Sequence, residues 1–265
     1  MRSPRFAAVL AFCLFVLLAV AGGPLHAQAC TVASGAATWT IPATSHYDVS
    51  PTSNFTGVGT GDYLFEDGWW FRVSGDAQEF FFPAPTTTTC AAAAGTITWS
   101  NVSARGFDAS LAVAITSLGA GSGEVIQTMT ITNLSDAAPL TIDLFHFADF
   151  DVNGTAGTDT ATLGNPNTFI QVADTTAGTA EYRAFGPAAT SYMVRAFGAA
   201  DVAVLLGDAD VDNLDNTGLP FASGDITSAF QWSLVIPALG SASVSVALTG
   251  NQPATPVELL QFSID

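Results

Sequence analysis

Apolar residues alternate with small or polar ones in stretch after stretch of this chain. Side chains of a β-strand point alternately to its two faces, so a period of two predicts strands with one buried face. Clusters of Gly, Pro, Asn or Asp separate most of these stretches, and few windows have helical spacing. The chain is therefore predicted to be all-β, a large two-sheet antiparallel sandwich of the jelly-roll or an enlarged type with little helix. The clearest strands are predicted at 107–115, 125–131, 230–236 and 242–248.

Other segments complete the predicted sheets. Residues 140–148 carry apolar side chains on both faces, which favours a central strand covered on both sides. Shorter strands are predicted at 37–41, 69–73, 79–82, 96–102, 168–173, 180–185, 192–197 and 202–206.

The first 29 residues have the pattern of a secretory signal peptide. Arg2 and Arg5 form a basic start, an apolar run follows at 7–21, and small residues occupy 22–29. The run is short for a membrane span, which favours cleavage and export. We predict a signal peptide over 1–29 and a single domain over 30–265, extracellular or at the cell surface, with no transmembrane segment in the mature chain.

Both ends of the predicted mature chain leave an alternative open. Cleavage after Ala29 would place Cys30 at the new N-terminus, but the preceding residues match a lipid-attachment motif poorly, so a lipoprotein is the minor alternative. At the other end, residues 255–265 are predicted to form a last strand or a sorting segment.

Two cysteines, Cys30 and Cys90, remain after the predicted cleavage removes Cys13. An even pair in an exported chain is most simply one disulfide. We therefore predict a Cys30–Cys90 bond that ties the start of the mature chain to the loop after Phe82.

The charge of the predicted mature chain limits its partners. Losing Arg2 and Arg5 leaves four arginines and no lysine against 23 acidic residues, a net charge of −19. Such a surface repels nucleic acid and anionic lipid, so neither is an expected partner. Divalent cations, glycans and other surface proteins stay open, as does a simple role of the charge in solubility.

One acidic cluster follows directly on the predicted central strand. Asp149, Asp151 and Asn153 stand at alternate positions before Gly154, which matches the first half of a calcium loop, and Asp159 follows nearby. Position twelve of that loop is a threonine instead of the expected bidentate Glu, so further oxygen ligands are needed. The alternative is an ordinary turn, because Asp, Asn and Gly favour turns for backbone reasons alone.

A second acidic cluster offers such ligands. Its carboxylates again stand at near-alternate positions, in D-A-D-V-D-N-L-D-N-T-G. The same alternative of a simple acidic turn applies. The candidate calcium ligands here are Asp208, Asp210, Asp212 and Asp215.

The segment G-D-Y-L-F-E-D-G-W-W-F-R-V spans residues 61–73. It resembles the D-x-L-F-x-x-W-W-W-Y-R-V segment of uncharacterised secreted bacterial β-sandwich proteins of the PEP-CTERM-associated type, although three residues here separate Phe65 from Trp69. The resemblance implies an exported β-sandwich and lends no activity. The matching positions are Asp62, Leu64, Phe65, Trp69, Trp70, Phe71, Arg72 and Val73.

Adjacent Trp69 and Trp70 must point to opposite faces of a strand. If one ring is exposed, it is a platform for a sugar, and the alternative is that both rings fill the core. The sequence contains no G-x-S-x-G motif, and its histidines are few. A pair of carboxylates acting as a glycosidase stays open, because sequence does not show their separation.

These patterns favour a secreted, non-enzymatic protein of surface, matrix or adhesion type that binds calcium. The alternative is a carbohydrate-active protein, either a glycan-binding module or a glycosidase, that uses Trp69 or Trp70 with nearby carboxylates.

Overall fold

The computed structural model describes residues 29–41, 48–49, 55–56, 61–119, 121–165, 168–174 and 178–251. Residues 1–28 of the predicted signal peptide and the 255–265 segment lie outside this part. Within it the strands are β1 (Cys30–Ser34), β2 (Ala37–Ile41), β3 (Asp48–Val49), β4 (Phe55–Thr56), β5 (Leu64–Val73), β6 (Phe80–Phe81), β7 (Thr87–Ala91), β8 (Ala94–Trp99), β9 (Phe107–Gly119), β10 (Ser122–Asn133), β11 (Leu140–Phe150), β12 (Asp159–Asn165), β13 (Phe169–Asp174), β14 (Gly178–Phe185), β15 (Ser191–Ala196), β16 (Phe221–Gly224), β17 (Ile226–Ile236) and β18 (Ser241–Asn251).

The strands form three antiparallel sheets. The largest has the order β16-β12-β13-β14-β18-β10-β9-β8-β7, the second β15-β17-β11-β5-β3 with β6 paired to β5, and the smallest β1-β2-β4. The all-β sandwich expected from the sequence is therefore confirmed, in its enlarged form.

The core lies between the sheets, where alternate side chains of the strands meet. In β10 every second residue is buried, as the period-two pattern predicts. Large rings fill the middle of this core, where Trp69 of β5 stacks on Trp232 of β17 with ring centroids 5.9 Å apart. Tyr182 of β14 packs against Phe230 at 4.5 Å, so the nine-stranded sheet and the second sheet share one packed interior.

Strand β11 is covered on both faces, as its sequence predicts. One face belongs to the inter-sheet core, while Phe145 and Phe147 enter a second apolar cluster on the opposite face. That cluster also holds Trp70, Val202 and Leu206. Every residue from Leu144 to Phe150 is consequently buried, polar ones included.

The strand predicted at 202–206 is wrong, because Val202–Leu206 forms a short helix, α1. A run of five apolar residues fits a buried strand and a buried helix equally well by pattern. The deciding residue is Asp201, whose side chain caps the helix by accepting the Val204 backbone N–H at 2.8 Å. The strand predicted at 96–102 is β8, which ends earlier, at Trp99. A 3₁₀ turn follows at Val102–Ala104.

The predicted Cys30–Cys90 disulfide is present, with Cα atoms 6.2 Å apart. It joins β1 of the small sheet to β7 at the edge of the nine-stranded sheet. The Ala33 backbone N–H also donates to the Ala92 carbonyl at 2.8 Å, so the small sheet is attached beside this edge.

Candidate functional site: a cluster of buried carboxylates

Two connections between the large sheets pass through one end of the sandwich. The first leaves β11 at Phe150, makes a 3₁₀ turn at Val152–Gly154 and enters the nine-stranded sheet with Asp159. The second returns through Asp225, the single residue between β16 and β17. The two connections bring together acidic residues that are far apart in the sequence.

Asp149, Asp151 and Asp225 form the centre of this region. One carboxylate oxygen of each lies within 4.8 Å of the others, which is close enough for all three to hold one metal ion. Asp149 is fully buried, while Asp151 and Asp225 are half-buried. Neither side-chain oxygen of Asp149 has a hydrogen-bond partner, and Asp225 Oδ1 has none.

The electrostatic environment of Asp149 disfavours an isolated negative charge. Burial, reinforced by the charges of Asp225, Asp151, Glu66 and Asp201, raises the pKa of Asp149 to about 9. Every charged neighbour responsible for the shift is another carboxylate. A buried anion without a donor or a cation beside it is costly, so this group needs either a proton or a positive ion.

The pKa values of the two half-buried carboxylates of the trio are also raised. Burial raises the pKa of Asp151 to about 6, with added repulsion from Asp225 and Asp62. Burial also raises the pKa of Asp225, with added repulsion from Asp201. The cluster therefore extends from the trio to a surrounding set of acids from other elements.

The oxygens of this region match the chemistry of a hard divalent cation. Ca²⁺ takes six to eight oxygen ligands and Mg²⁺ takes six, usually with several waters. The three carboxylates offer up to six oxygens, and Asp62 and Glu66 lie near enough to act on their charge. The described arrangement can thus hold a metal ion.

Only some of the predicted ligands of the first cluster belong to the trio. Asp149 and Asp151 belong to the trio. Asn153 lies on the adjoining turn with φ 56°, and its side-chain oxygen accepts the Gly61 backbone N–H at 3.2 Å. Asp159 is fully buried but is not a member of the trio.

The second predicted cluster is not brought together. Among the described residues, Asp208, Asp210, Asp212 and Asp215 do not form a group with metal-ligand spacing. Asp208 Oδ1 accepts the Asp210 backbone N–H at 2.8 Å, which is an Asx turn. Arg72 fastens the same segment by donating to the Asp212 carbonyl at 2.5 Å. Asp208 therefore shapes a turn in this segment.

Trp69 and Trp70 do point to opposite faces, but both faces are covered. Trp69 is fully buried in the inter-sheet core, where its indole N–H donates to Gln127 Oε1 at 2.8 Å. Trp70 is 5 % exposed and packs against Phe81 and Phe147. The expectation of an exposed ring is corrected, since neither ring is available as a platform for a sugar.

Sequence reasoning missed Asp225. It stands between a glycine and an isoleucine with no acidic partner at metal-ligand spacing, and it is 74 residues beyond Asp151. Only the antiparallel pairing of Phe150 with Ile226 places Asp225 beside the end of β11. No local signal in the sequence could have identified it.

A groove with a volume of about 740 Å³ lies on the outer face of the nine-stranded sheet. Its floor is Ala247 of β18, which pairs with Arg183 on one side and Ile126 on the other. Arg183 forms a salt bridge with Glu124 across the floor. Phe185, 41 % exposed, lies on the rim.

No protein-family model and no curated protein matches the sequence. Solved structures are similar in fold. A bacterial glucoamylase complexed with acarbose matches at 9 % identity and a TM-score of 0.50, over 86 % of this chain and 31 % of that one. A putative kojibiose phosphorylase from the human microbiome matches at 7 % identity and a TM-score of 0.40, over 83 % and 29 %. This chain thus spans about a third of the length of either protein, and the likeness is one of fold alone.

None of the helices in the described part of the chain has the length and hydropathy that a bilayer span requires.

Proposed function

We propose that this protein is an exported β-sandwich that binds calcium through Asp149, Asp151 and Asp225 and acts without catalysis in a surface, matrix or adhesion role. The main evidence for a cation site is the environment of Asp149. It is fully buried, both its oxygens lack hydrogen-bond partners, and its charged neighbours are carboxylates. A divalent cation supplies the missing positive charge and the missing ligand partner in one step.

Calcium is the cation that fits these ligands best. All candidate ligands are oxygens, which excludes a preference for soft metals. The spacing of Asp149, Asp151 and Asn153 before a glycine is half of a calcium loop, and ligands from a distant segment such as Asp225 suit the irregular coordination that Ca²⁺ accepts. Mg²⁺ demands a near-ideal octahedron and is expected to bind more weakly.

The position of the site indicates what the ion would do for the fold. Asp149 is the penultimate residue of a strand of the second sheet, Asp151 begins the connection to the nine-stranded sheet, and Asp225 lies on the return connection. An ion held by all three would join both connections at one end of the sandwich. Such a clamp suits a protein that works outside the cell, where calcium is abundant and reducing agents are scarce.

The test is thermal unfolding of the predicted mature chain in calcium and then in excess chelator. A ligand that binds only the folded state stabilises it by about 2.7 kcal/mol at a concentration one hundred times its dissociation constant. We expect a rise in Tm of several degrees with calcium, a smaller rise with magnesium, and no rise in Asp151→Ala.

Asp210→Ala is the matched control, because it removes a carboxylate from the acidic turn that does not form a ligand group. It should keep the full calcium response. An equal Tm for the wild type in calcium and in chelator would overturn the calcium proposal.

The groove supports a second candidate function, glycan binding. It combines an exposed aromatic ring, Phe185, with charged side chains that are already paired, Arg183 and Glu124. Sugars stack on exposed rings and form hydrogen bonds with such planar polar groups. A second ring, Phe169, is held against Gly164, since a Cβ at that glycine would lie 2.1 Å from the ring.

Titration with glucan oligosaccharides, followed by calorimetry, tests this second candidate. The Phe185→Ala variant should lose most of the binding. Leu134→Ala removes an equally exposed apolar side chain outside the groove and should bind as the wild type does. Equal binding by the two variants would exclude the groove as the sugar site.

A further inference from the structure

The segment that follows β15 lies against the carboxylate trio. The Phe197 backbone N–H donates to the Asp225 carbonyl at 3.0 Å, so the two residues are direct neighbours. Asp201, at the end of the same segment, acts through its charge on both Asp149 and Asp225. Residues 196–200 are all exposed. The trio is therefore bordered by a solvent-facing segment at this end of the sandwich.

Phe197 is an exposed aromatic residue beside the trio. It is 44 % exposed, and its ring meets that of Phe65 edge-on, with the two centroids 5.7 Å apart. This contact orients the ring and leaves part of it accessible. Val204 of α1 is 48 % exposed and lines the same depression as Phe197. The exposed apolar surface is therefore a small patch, and such patches beside a site for an ion are candidates for ligand contact.

The depression has a volume of about 650 Å³ and joins this patch to the acidic region. Phe197, Glu66 and Asp201 are among its lining residues. Glu66 pairs with Asp149 in the β5–β11 ladder, and the charges of Glu66 and Asp201 both act on Asp149. Sites for small ligands have volumes of about 300–1,000 Å³. One concave surface thus combines an aromatic ring with the immediate surroundings of the trio.

An ion held by the trio needs more ligands than the trio supplies. One oxygen of each carboxylate lies within 4.8 Å of the others, which gives an ion three protein ligands. Ca²⁺ takes six to eight oxygens, so about three or more positions stay open. Asp151 and Asp225 are half-buried, so solvent reaches this side of the site. The open positions are available to water or to the oxygens of a ligand that replaces water.

The charge of the region favours a neutral ligand. The trio carries three negative charges against the two positive charges of a divalent cation, and Glu66 and Asp201 add more negative charge nearby. The excess repels phosphates, carboxylates and anionic lipids. Hydroxyl groups are uncharged and offer the oxygen ligands that calcium takes. A sugar ring supplies two adjacent hydroxyls, and its apolar face packs against an aromatic side chain.

We propose that this end of the sandwich binds a neutral glycan through the calcium ion, with two adjacent sugar hydroxyls on the ion and the sugar ring against Phe197. The inference rests on the proposed calcium site and names the partner of that site. The position differs from the groove with Phe185, whose lining does not include the trio. Adhesion through this site requires the ion, so removing calcium removes the binding.

Calorimetric titration of the predicted mature chain with a neutral glucose trisaccharide, in calcium and in excess chelator, tests the proposal. Binding should occur in calcium and be lost in chelator. Phe197→Ala should weaken the binding about tenfold. The same variant should keep the calcium-dependent rise in Tm, because the ring is not a ligand of the ion.

Two further variants complete this titration. Phe197→Leu keeps an apolar side chain without the flat ring and should also weaken the binding, so it decides the question if the alanine variant does not fold. Leu134→Ala is the matched control, because Leu134 is 42 % exposed and does not line the depression. It should bind the trisaccharide as the wild type does.

Luminescence lifetimes of Tb³⁺ bound in place of calcium count the water molecules on the ion. Two sugar hydroxyls replace two waters, so the trisaccharide should lower this count by about two in the wild type. At the same sugar concentration the count in Phe197→Ala should change much less. A trisaccharide of glucuronic acid should bind about tenfold more weakly at low ionic strength, because its carboxylates meet the excess negative charge.

The outcomes separate this inference from the proposed function. A calcium-dependent rise in Tm without calcium-dependent sugar binding overturns the inference and leaves the ion site intact. No rise in Tm and no sugar binding overturn both. An unchanged water count on Tb³⁺, or tighter binding of the glucuronic acid trisaccharide, overturns the inference. Loss of the calcium-dependent binding in Phe185→Ala, with full binding in Phe197→Ala, would place the sugar in the groove and overturn it as well.

Discussion

Two buried aspartates, Asp67 and Asp149, lie on neighbouring strands of the same sheet, yet their surroundings are opposite. In the β5–β11 ladder Asp67 pairs with Ala148, and Asp149 pairs with Glu66. Asp67 faces the core between the sheets, whereas Asp149 lies on the face that carries Phe145 and Phe147. Their exposed fractions are 2 % and 0 %, so burial does not distinguish them.

Asp67 has partners on both oxygens. Gln127 donates to Oδ2 at 3.0 Å, and His146 Nε2 lies 3.0 Å from Oδ1. Tyr182 donates its hydroxyl proton to the His146 carbonyl at 2.7 Å, so the Nδ1–H of His146 is left to donate to the Tyr182 oxygen. Both oxygens of Asp67 therefore lie beside polar side chains of the core.

Asp149 has none of these partners, and its charged neighbours are acids. The comparison teaches that burial alone does not mark a functional carboxylate in this protein. A buried carboxylate that contacts polar side chains belongs to the structure of the core, as at Asp67. A buried carboxylate that lacks such partners, as at Asp149, needs either a proton or a positive ion beside it.

The largest expected effect is at the paired aspartate. Asp67→Ala leaves His146 and Gln127 without their partner inside the core, and breaking a buried pair from one side costs about 3–5 kcal/mol. Denaturant unfolding should show this loss equally in calcium and in chelator. Asp67→Asn keeps the size and one oxygen acceptor for Gln127, so its loss should be smaller. A loss from Asp67→Ala that appeared only in calcium would contradict the distinction between the two regions.

The next largest effect is expected in the pH dependence of stability, which should distinguish the region of Asp149 from that of Asp67. The pKa values of Asp149, Asp159 and Asp151 are raised in the folded state to about 9, 7 and 6, above the value of about 4 in an unfolded chain. Groups of this kind stabilise the fold when protonated, so their contribution is complete below about pH 4 and is lost as pH rises to about 9. Each contributes a slope of up to about 1.4 kcal/mol per pH unit.

Calcium should oppose this trend, because protons and the cation compete for the same oxygens. Tm measured in chelator should rise as the pH falls from 9 to 5, and the difference between the calcium and chelator curves should narrow over the same range. Curves that stay parallel over this range would show that the ion does not bind at the titrating carboxylates.

A smaller effect is expected from Asp149→Asn at pH 7. In chelator the buried acid already carries a proton, so the neutral amide of the same shape should change the unfolding free energy by less than about 0.5 kcal/mol. In calcium the variant lacks a ligand charge and should lose about 1–3 kcal/mol of the stabilisation that the ion gives. Equal changes in the unfolding free energy in calcium and in chelator would show that Asp149, like Asp67, has a purely structural role.

The fold was largely predictable from the sequence because strand alternation is a local property. The predicted strands at 107–115 and 242–248 fall within β9 and β18. The site was predictable only in part, since Asp149 and Asp151 belong to one local motif whereas Asp225 joins them through strand pairing. The tryptophans show the same limit, because alternation predicts that Trp69 and Trp70 face opposite ways but not that α1 covers the second face.

The smallest effect is expected at the exposed acidic turn, which resembles the Asp149–Asn153 segment in sequence and differs from it in burial. Asp208 is exposed, and its Oδ1 accepts the Asp210 backbone N–H, a role that an asparagine oxygen can fill. Asp208→Asn should therefore change stability by less than about 0.5 kcal/mol and leave the calcium-dependent rise in Tm unchanged. Thermal unfolding in calcium and chelator measures both quantities. A reduced calcium response in this variant would mean that an exposed Asp-rich turn binds the ion, and that burial without partners is not what selects the site.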